Sequence, residues 1–152
     1  MNILLEDALS SGPDSEEFYL LLKNYGMWSK YSGCSGYGAH SSDPLPTPII
    51  DDDTAMLVER GVIKLKKTRP NVWRLFRLHY VFDLGPDKIA TRIKAETRNN
   101  REPIYRHRKN YFEYRPGIDS ALRHITAGTV RDLLKIADRC IYTELMTWYN
   151  RL

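Results

Sequence analysis

The sequence predicts an all-α fold, and three observations carry that prediction. Apolar residues recur at the three- and four-residue spacing of an amphipathic helix. Helix-start signals, an acidic or hydroxyl cap or a proline in the first turn, stand just ahead of those stripes. No alternating strand pattern of useful length appears, and there are no internal repeats.

The first stripe follows Asp14-Ser-Glu-Glu17, a capping-box pattern with Asp14 as the expected N-cap. Phe18, Leu21, Leu22, Tyr25 and Trp28 then share one face, which predicts a helix over about 15–30. The stretch 32–49 is rich in glycine, proline and serine and reads as loop. Asp51, Asp52 and Asp53 open the next helix, where negative charge suits the positive end of the helix dipole. Its stripe is Ala55, Val58, Val62 and Leu65, with Lys64, Lys66 and Lys67 near its end. Pro70 suits the first turn of a third helix, whose Val72, Trp73, Leu75, Phe76, Leu78 and Tyr80 predict deep burial. Pro86 starts a short helix, "PDKIATRIKAE", with Ile89, Ala90 and Ile93 inward. Thr126 or Gly128 caps a long last helix carrying Val130, Leu133, Leu134, Ala137, Ile141, Leu145 and Trp148.

At 152 residues the chain fits one domain, divided here into a helix and loop (14–50), a helical core (51–95 and 126–150) and a basic insertion (96–125). An apolar fraction of 42% and ten tyrosines suffice for a core and argue against disorder. Apolar runs are too short to span a membrane, and "MNILLEDALSSG" lacks the pattern of a secretion signal. Cys34 and Cys140 stand far apart without metal-ligand spacing and read as reduced thiols. Charge is sharply divided. Residues 1–59 hold two Lys against ten Asp or Glu, a net of −8, whereas residues 60–152 hold twenty-one Lys or Arg against nine acids, a net of +12. The basic part points to a polyanionic partner.

Enzymatic readings find little support. In "YGMWSKYSGCSGYG" (25–38) a helix precedes the glycines and a proline-rich loop follows, the reverse of a phosphate-cradling loop. Adjacent acids at 51–53 point in different directions on a helix, so dipole compensation explains them better than a metal-dependent nuclease does. The histidines at 40, 79, 107 and 124 lack ligand spacing, and His79 reads as a satisfied core residue. No nucleophile–base array stands out, so no catalytic residue, metal or cofactor is expected.

The C-terminal half carries the clearest chemistry. "LGPDKIATRIK", then a capped helix with an exposed basic face, has the order of a helix-turn-helix DNA reader. Arg131, Lys135 and Arg139 recur at i, i+4 and i+8, while Thr126, Thr129 and Asp132 lie where a recognition helix meets base edges. Lys88 and Arg92 on the preceding helix complete the DNA-binding candidates. Between them, "TRNNREPIYRHRKNYFEYR" interleaves Arg98, Arg101, Arg106, Arg108 and Lys109 with aromatics, a composition suited to DNA or RNA contact or to a solvated surface.

Taken together, "YGMWSKYSGCSGYG", "IDDDTAMLVERGVIKLKKTRPNVWRLFRLHYVFDLGPDKIATRIK" and "TVRDLLKIADRCIYTEL" resemble, in that order, the antitermination protein Q family of lambdoid phages, in its phage 21-type branch. The resemblance covers about residues 18–95 and 126–148. It implies a compact helical domain with a helix-turn-helix similar to sigma-factor region 4, formed by 86–95 and 126–138. It also implies a late-gene transcription antiterminator that binds duplex DNA at the late promoter and loads onto paused bacterial RNA polymerase, with sigma factor present during loading. Pausing and termination would be suppressed by extending and narrowing the RNA-exit channel, which encloses the nascent RNA. A second copy on DNA fits this picture, as does a place in the host bacterial cytoplasm, on the nucleoid. The glycine run becomes a structural clasp, with Trp28 and Tyr37 expected to pack together or onto a shared surface and so tie the loop to the first helix. One departure stands out: about thirty residues separate Ala95 from Thr126, where the family has a short turn. An insertion that loops out is the preferred account, and a DNA-reading helix within "EPIYRHRKNYF" is the other. The competing function is a helix-turn-helix repressor or activator that never joins elongating polymerase.

Overall fold

Helix α1 (Ile3–Ser11) lies where the sequence offered no cap and only one short apolar face. Leu5, Ala8 and Leu9 sit at i, i+3 and i+4, all buried against the rest of the chain. The structure, a computed structural model, describes residues 3–32, 50–107 and 125–151, with the backbone alone for 97–107. Within them are six helices and no strand, as the periodicity predicted.

Helix α2 (Glu16–Ser32) begins one residue later than the capping box implied. Gly12, at φ +100°, closes α1, and its N–H donates to the Ala8 carbonyl. The turn brings Ser15 rather than Asp14 to the helix start, where Ser15 Oγ accepts from the Phe18 N–H at 3.1 Å and donates to the Gly12 carbonyl at 2.7 Å. Asp14 is therefore not the cap; it reaches out to Arg139. Phe18, Leu21, Leu22 and Tyr25 are buried, as their spacing predicted.

Helix α3 (Asp52–Thr68) is capped by Asp51, whose Oδ1 accepts from the Thr54 N–H at 2.8 Å. The side-chain and backbone hydrogen bonds from Thr54 hold this carboxyl below the usual carboxylate range. Arg69 ends α3 and leads into Pro70 at the first turn of α4 (Pro70–Tyr80). Trp73 departs from the predicted burial and is only half-buried, whereas Val72, Leu75, Phe76, Leu78 and Tyr80 lie inside. Asp83 takes a left-handed conformation (φ 57°), and the Leu84 N–H donates back to the Leu78 carbonyl at 3.0 Å, closing α4. Helices α5 (Pro86–His107) and α6 (Ala127–Tyr149) complete the set.

Two apolar clusters form the interior. The larger joins α1, α2, α3, the inner face of α4 and the C-terminal half of α6. The smaller gathers Leu75 and Leu78 of α4, Ile89, Ala90 and Ile93 of α5, then Ile125, Val130 and Leu134 at the start of α6. Each fully buried Val, Leu, Ile or Phe among them contributes about 1.5–3 kcal/mol relative to exposure. Helices α4 and α6 belong to both clusters, so they fix the N-terminal part of α6 relative to everything else. Between the clusters the Tyr80 hydroxyl donates to the Asp138 carboxylate at 3.0 and 3.1 Å.

Candidate nucleic-acid interface

Helix α6 begins at a hydroxyl cap. Thr126 Oγ1 accepts from the Thr129 N–H at 3.2 Å, and the two hydroxyl oxygens lie 3.1 Å apart. Thr126 is thus committed to the helix start before it meets any ligand. Val130, Leu134, Ala137 and Ile141 turn inward, which leaves Arg131, Asp132, Lys135 and Arg139 on the outer face. Arg131 and Lys135 have no ionic partner among the described residues. Arg139 meets Asp14 at 3.2 Å with both side chains about 60% exposed, a pairing worth roughly 0–1 kcal/mol and open to competition by a phosphate.

On α5, Ile89, Ala90 and Ile93 pack against α6, while Lys88 and Arg92 stand on the outer side. Arg92 reaches Glu96 at 3.3 Å, and Arg74 of α4 pairs with the same carboxylate. Lys88 and Arg131, like Lys135, are therefore the candidates that form no ion pair with a described residue.

The short helix expected over 86–96 is too short. Helix α5 continues to His107, past the boundary at Ala95 where the insertion was expected to begin. Glu96 to Arg106 carry no apolar stripe, and Pro103 removes a hydrogen-bond donor from the helix interior, so nothing along the sequence marks the helix as continuing. Arg98, Arg101 and Arg106 lie on this extension by their backbone, and the first residues of "EPIYRHRKNYF" belong to it. Arg108 and Lys109 lie outside the described residues, as does Tyr37. Helices α5 and α6 are joined by the stretch 108–126, so they are held together by side-chain packing and not by a tight turn.

The electrostatics beneath this face are unusual. Burial pushes the Asp138 carboxyl up to about 7, against the hydrogen bond from Tyr80, which works to lower it. The Tyr80 hydroxyl is itself raised by burial and by the neighbouring Asp138 charge. His79 is tied by its Nδ1, 2.9 Å from the Leu84 carbonyl, and its Nε2, 3.3 Å from the Tyr19 hydroxyl, which accords with a structural role.

A second basic surface has no counterpart among the residues singled out by spacing. Lys66 Nζ lies 4.7 Å from the Trp73 ring centroid, and the Arg77 guanidinium lies 5.6 Å from Trp73 and 5.4 Å from Phe82. The available signal was Trp73 and Arg77 at i, i+4 just after a lysine-rich helix end. It was masked because a tryptophan in an apolar helix reads as core.

Among the described residues no helix is long and apolar enough to cross a membrane. No protein-family model, no characterised protein and no solved structure matches the chain.

Proposed function

We propose that the chain is a DNA-binding transcription factor that reads duplex DNA with the outer face of α6, and that it acts as a phage late-gene antiterminator. One observation supports the reading above the others: Arg131 and Lys135 stand exposed and without an ionic partner among the described residues, one turn apart, just after a capped helix start seated on α4 and α5. Such a face can enter a major groove with cations at the phosphates and Thr129 and Asp132 toward the base edges. The net +12 over residues 60–152 adds long-range attraction to DNA. The acidic first third exposes Glu6, Asp7, Glu16, Glu17 and Asp53, which suits a basic surface of bacterial RNA polymerase near its RNA exit.

The antiterminator part rests on the sequence resemblance. A repressor or activator would use the same α6 face with no polymerase contact, and the basic charge of residues 60–152 serves either. Transcription in vitro across an intrinsic terminator separates them. Read-through that depends on a promoter-proximal DNA element supports antitermination. Duplex binding with normal termination supports the plain regulator, and absence of duplex binding removes both.

A further inference from the structure

We propose that the groove between the end of α3 and α4 binds single-stranded nucleic acid, with bases on Trp73 and Phe82 and phosphates on Lys66 and Arg77. This site is separate from the duplex reader proposed above. The groove encloses about 590 Å³ and is lined by Lys66, Trp73, Arg74, Arg77 and Phe82 with two apolar neighbours, and no described residue of α6 lines it.

Its parts match what a flexible polyanion with flat rings requires. Phe82 is 44% exposed, and a defined turn holds it there, since Asp83 is left-handed and Leu84 bonds back to α4. Trp73 is half-buried, its ring packed against the core and carrying the mobile ends of Lys66 and Arg77 over its face. Lys66 and Arg77 have no carboxylate partner among the described residues. Both instead rest over aromatic faces, at 4.7 Å and 5.4–5.6 Å. Arg74 is excluded from the anion-binding set because Glu96 already holds it.

The pattern selects among ligands. In a duplex the base faces are stacked and inaccessible, so rings set in a groove can stack only on unpaired bases. Cations beside the rings then reach the adjoining phosphates, which tie the backbone without reading sequence. An acidic peptide would draw Lys66 and Arg77 off the two rings, and carboxylates alone would put nothing in their place. Stacked bases cover the rings.

The test uses the full chain and fluorescein-labelled oligothymidylate and oligouridylate of about ten nucleotides, within the usual single-strand site size. Binding is read by anisotropy. Removing Phe82 and one cation together (Phe82→Ala with Lys66→Gln) should weaken single-strand binding at least about tenfold, as expected when one stacking ring and one phosphate partner are removed. Trp73→Phe should retain most of the affinity because it keeps a ring in place. Duplex affinity should be unchanged in these variants, and Arg131→Ala with Lys135→Ala should leave single-strand affinity intact. Whichever oligonucleotide binds tighter identifies DNA or RNA as the source, and either supports the proposal. Binding of neither oligonucleotide overturns it, as does equal binding by the Phe82→Ala, Lys66→Gln variant. Capture of an acidic, aromatic peptide with neither oligonucleotide bound would reassign the groove to a protein partner.

Discussion

The Cα of Gly26 faces the backbone carbonyl of Tyr80 so closely that a Cβ placed there would lie 1.9 Å from the oxygen. The contact joins α2 to the end of α4, and the obstacle is main chain, which cannot swing aside. Gly26→Ala should therefore destabilise the protein by about 2–3 kcal/mol or more, despite the roughly 1 kcal/mol that alanine adds to a helix. Gly61 is the control. Its Cβ would approach the Ile141 Cγ2 most closely, at 3.3 Å, so crowding and helix propensity should nearly cancel, leaving Gly61→Ala within about 1 kcal/mol of the parent. Urea denaturation of both variants checks the pair. Equal stability of the two would show that α2 and α4 do not approach this closely.

The duplex reader makes a separate prediction. Arg131 and Lys135 are exposed, so replacing both with alanine should leave folding intact. Each phosphate that is no longer neutralised lowers the slope of log affinity against log salt by about one. A gel-shift salt series should show weaker binding and a slope reduced by about two. Unchanged affinity and slope would mean that α6 is not the DNA-reading helix.

Particular residues show how far the sequence could be read. The stripes on α2, α3, α4 and α6 were legible because apolar side chains at helical spacing must share a face whatever they pack against. Asp51, Pro70 and Thr126 were legible as helix starts for an equally local reason. Asp14 misled because two capping residues stood side by side, and the choice of Ser15 was made by the turn at Gly12. The end of α5 was hidden because the run past Ala95 has no apolar stripe and holds Pro103, which argues against a helix interior. Gly26 reads as part of a glycine-rich run, since its reason lies in a carbonyl more than fifty residues away in sequence. Of the candidate site, the α6 face came from spacing alone. Trp73 with Lys66 and Arg77 required the bend between α3 and α4, which no pattern along the chain displays.

Trp28 yields a test of the aromatic clasp in a form the structure defines. Its ring stacks on Tyr25 with centroids 6.1 Å apart, and its Nε1–H donates to Asp52 Oδ1 at 2.8 Å, tying α2 to the start of α3. Because the ring is half-buried, Trp28→Ala should cost near the lower end of the usual range for a large aromatic, about 3 kcal/mol. Trp28→Phe keeps most of the stack and loses only the hydrogen bond, so it should cost about 1 kcal/mol. Denaturant midpoints distinguish the cases, and a neutral Trp28→Ala would point to a ring held ready for a partner instead of the fold.

The last prediction concerns Asp138 and has an unusual sign. Burial raises its folded-state value to about 7 from an ordinary 3.8, with the Tyr80 hydrogen bond opposing and the nearby Asp14 charge assisting. Between those two values the folded chain holds a proton that the unfolded chain has released. Stability from this group is therefore full below about pH 4 and declines as pH rises toward about 7, where the buried carboxyl ionises. Asp83 and Glu144 behave oppositely. Hydrogen bonds from Lys23 and Lys64 respectively lower them, so their contribution is present at neutral pH and lost in acid. Asp138→Asn mimics the protonated acid and keeps an acceptor for the Tyr80 hydroxyl. It should match the parent near about pH 4 and exceed it at about pH 8, removing the decline between. Tyr80→Phe should do the reverse, since losing the hydrogen bond that favours the charged form leaves an ionised Asp138 costlier still. Thermal melts of the three proteins across that range decide the matter. If Asp138→Asn is less stable than the parent at every pH, the carboxylate is ionised and satisfied in the fold, and burial does not govern it.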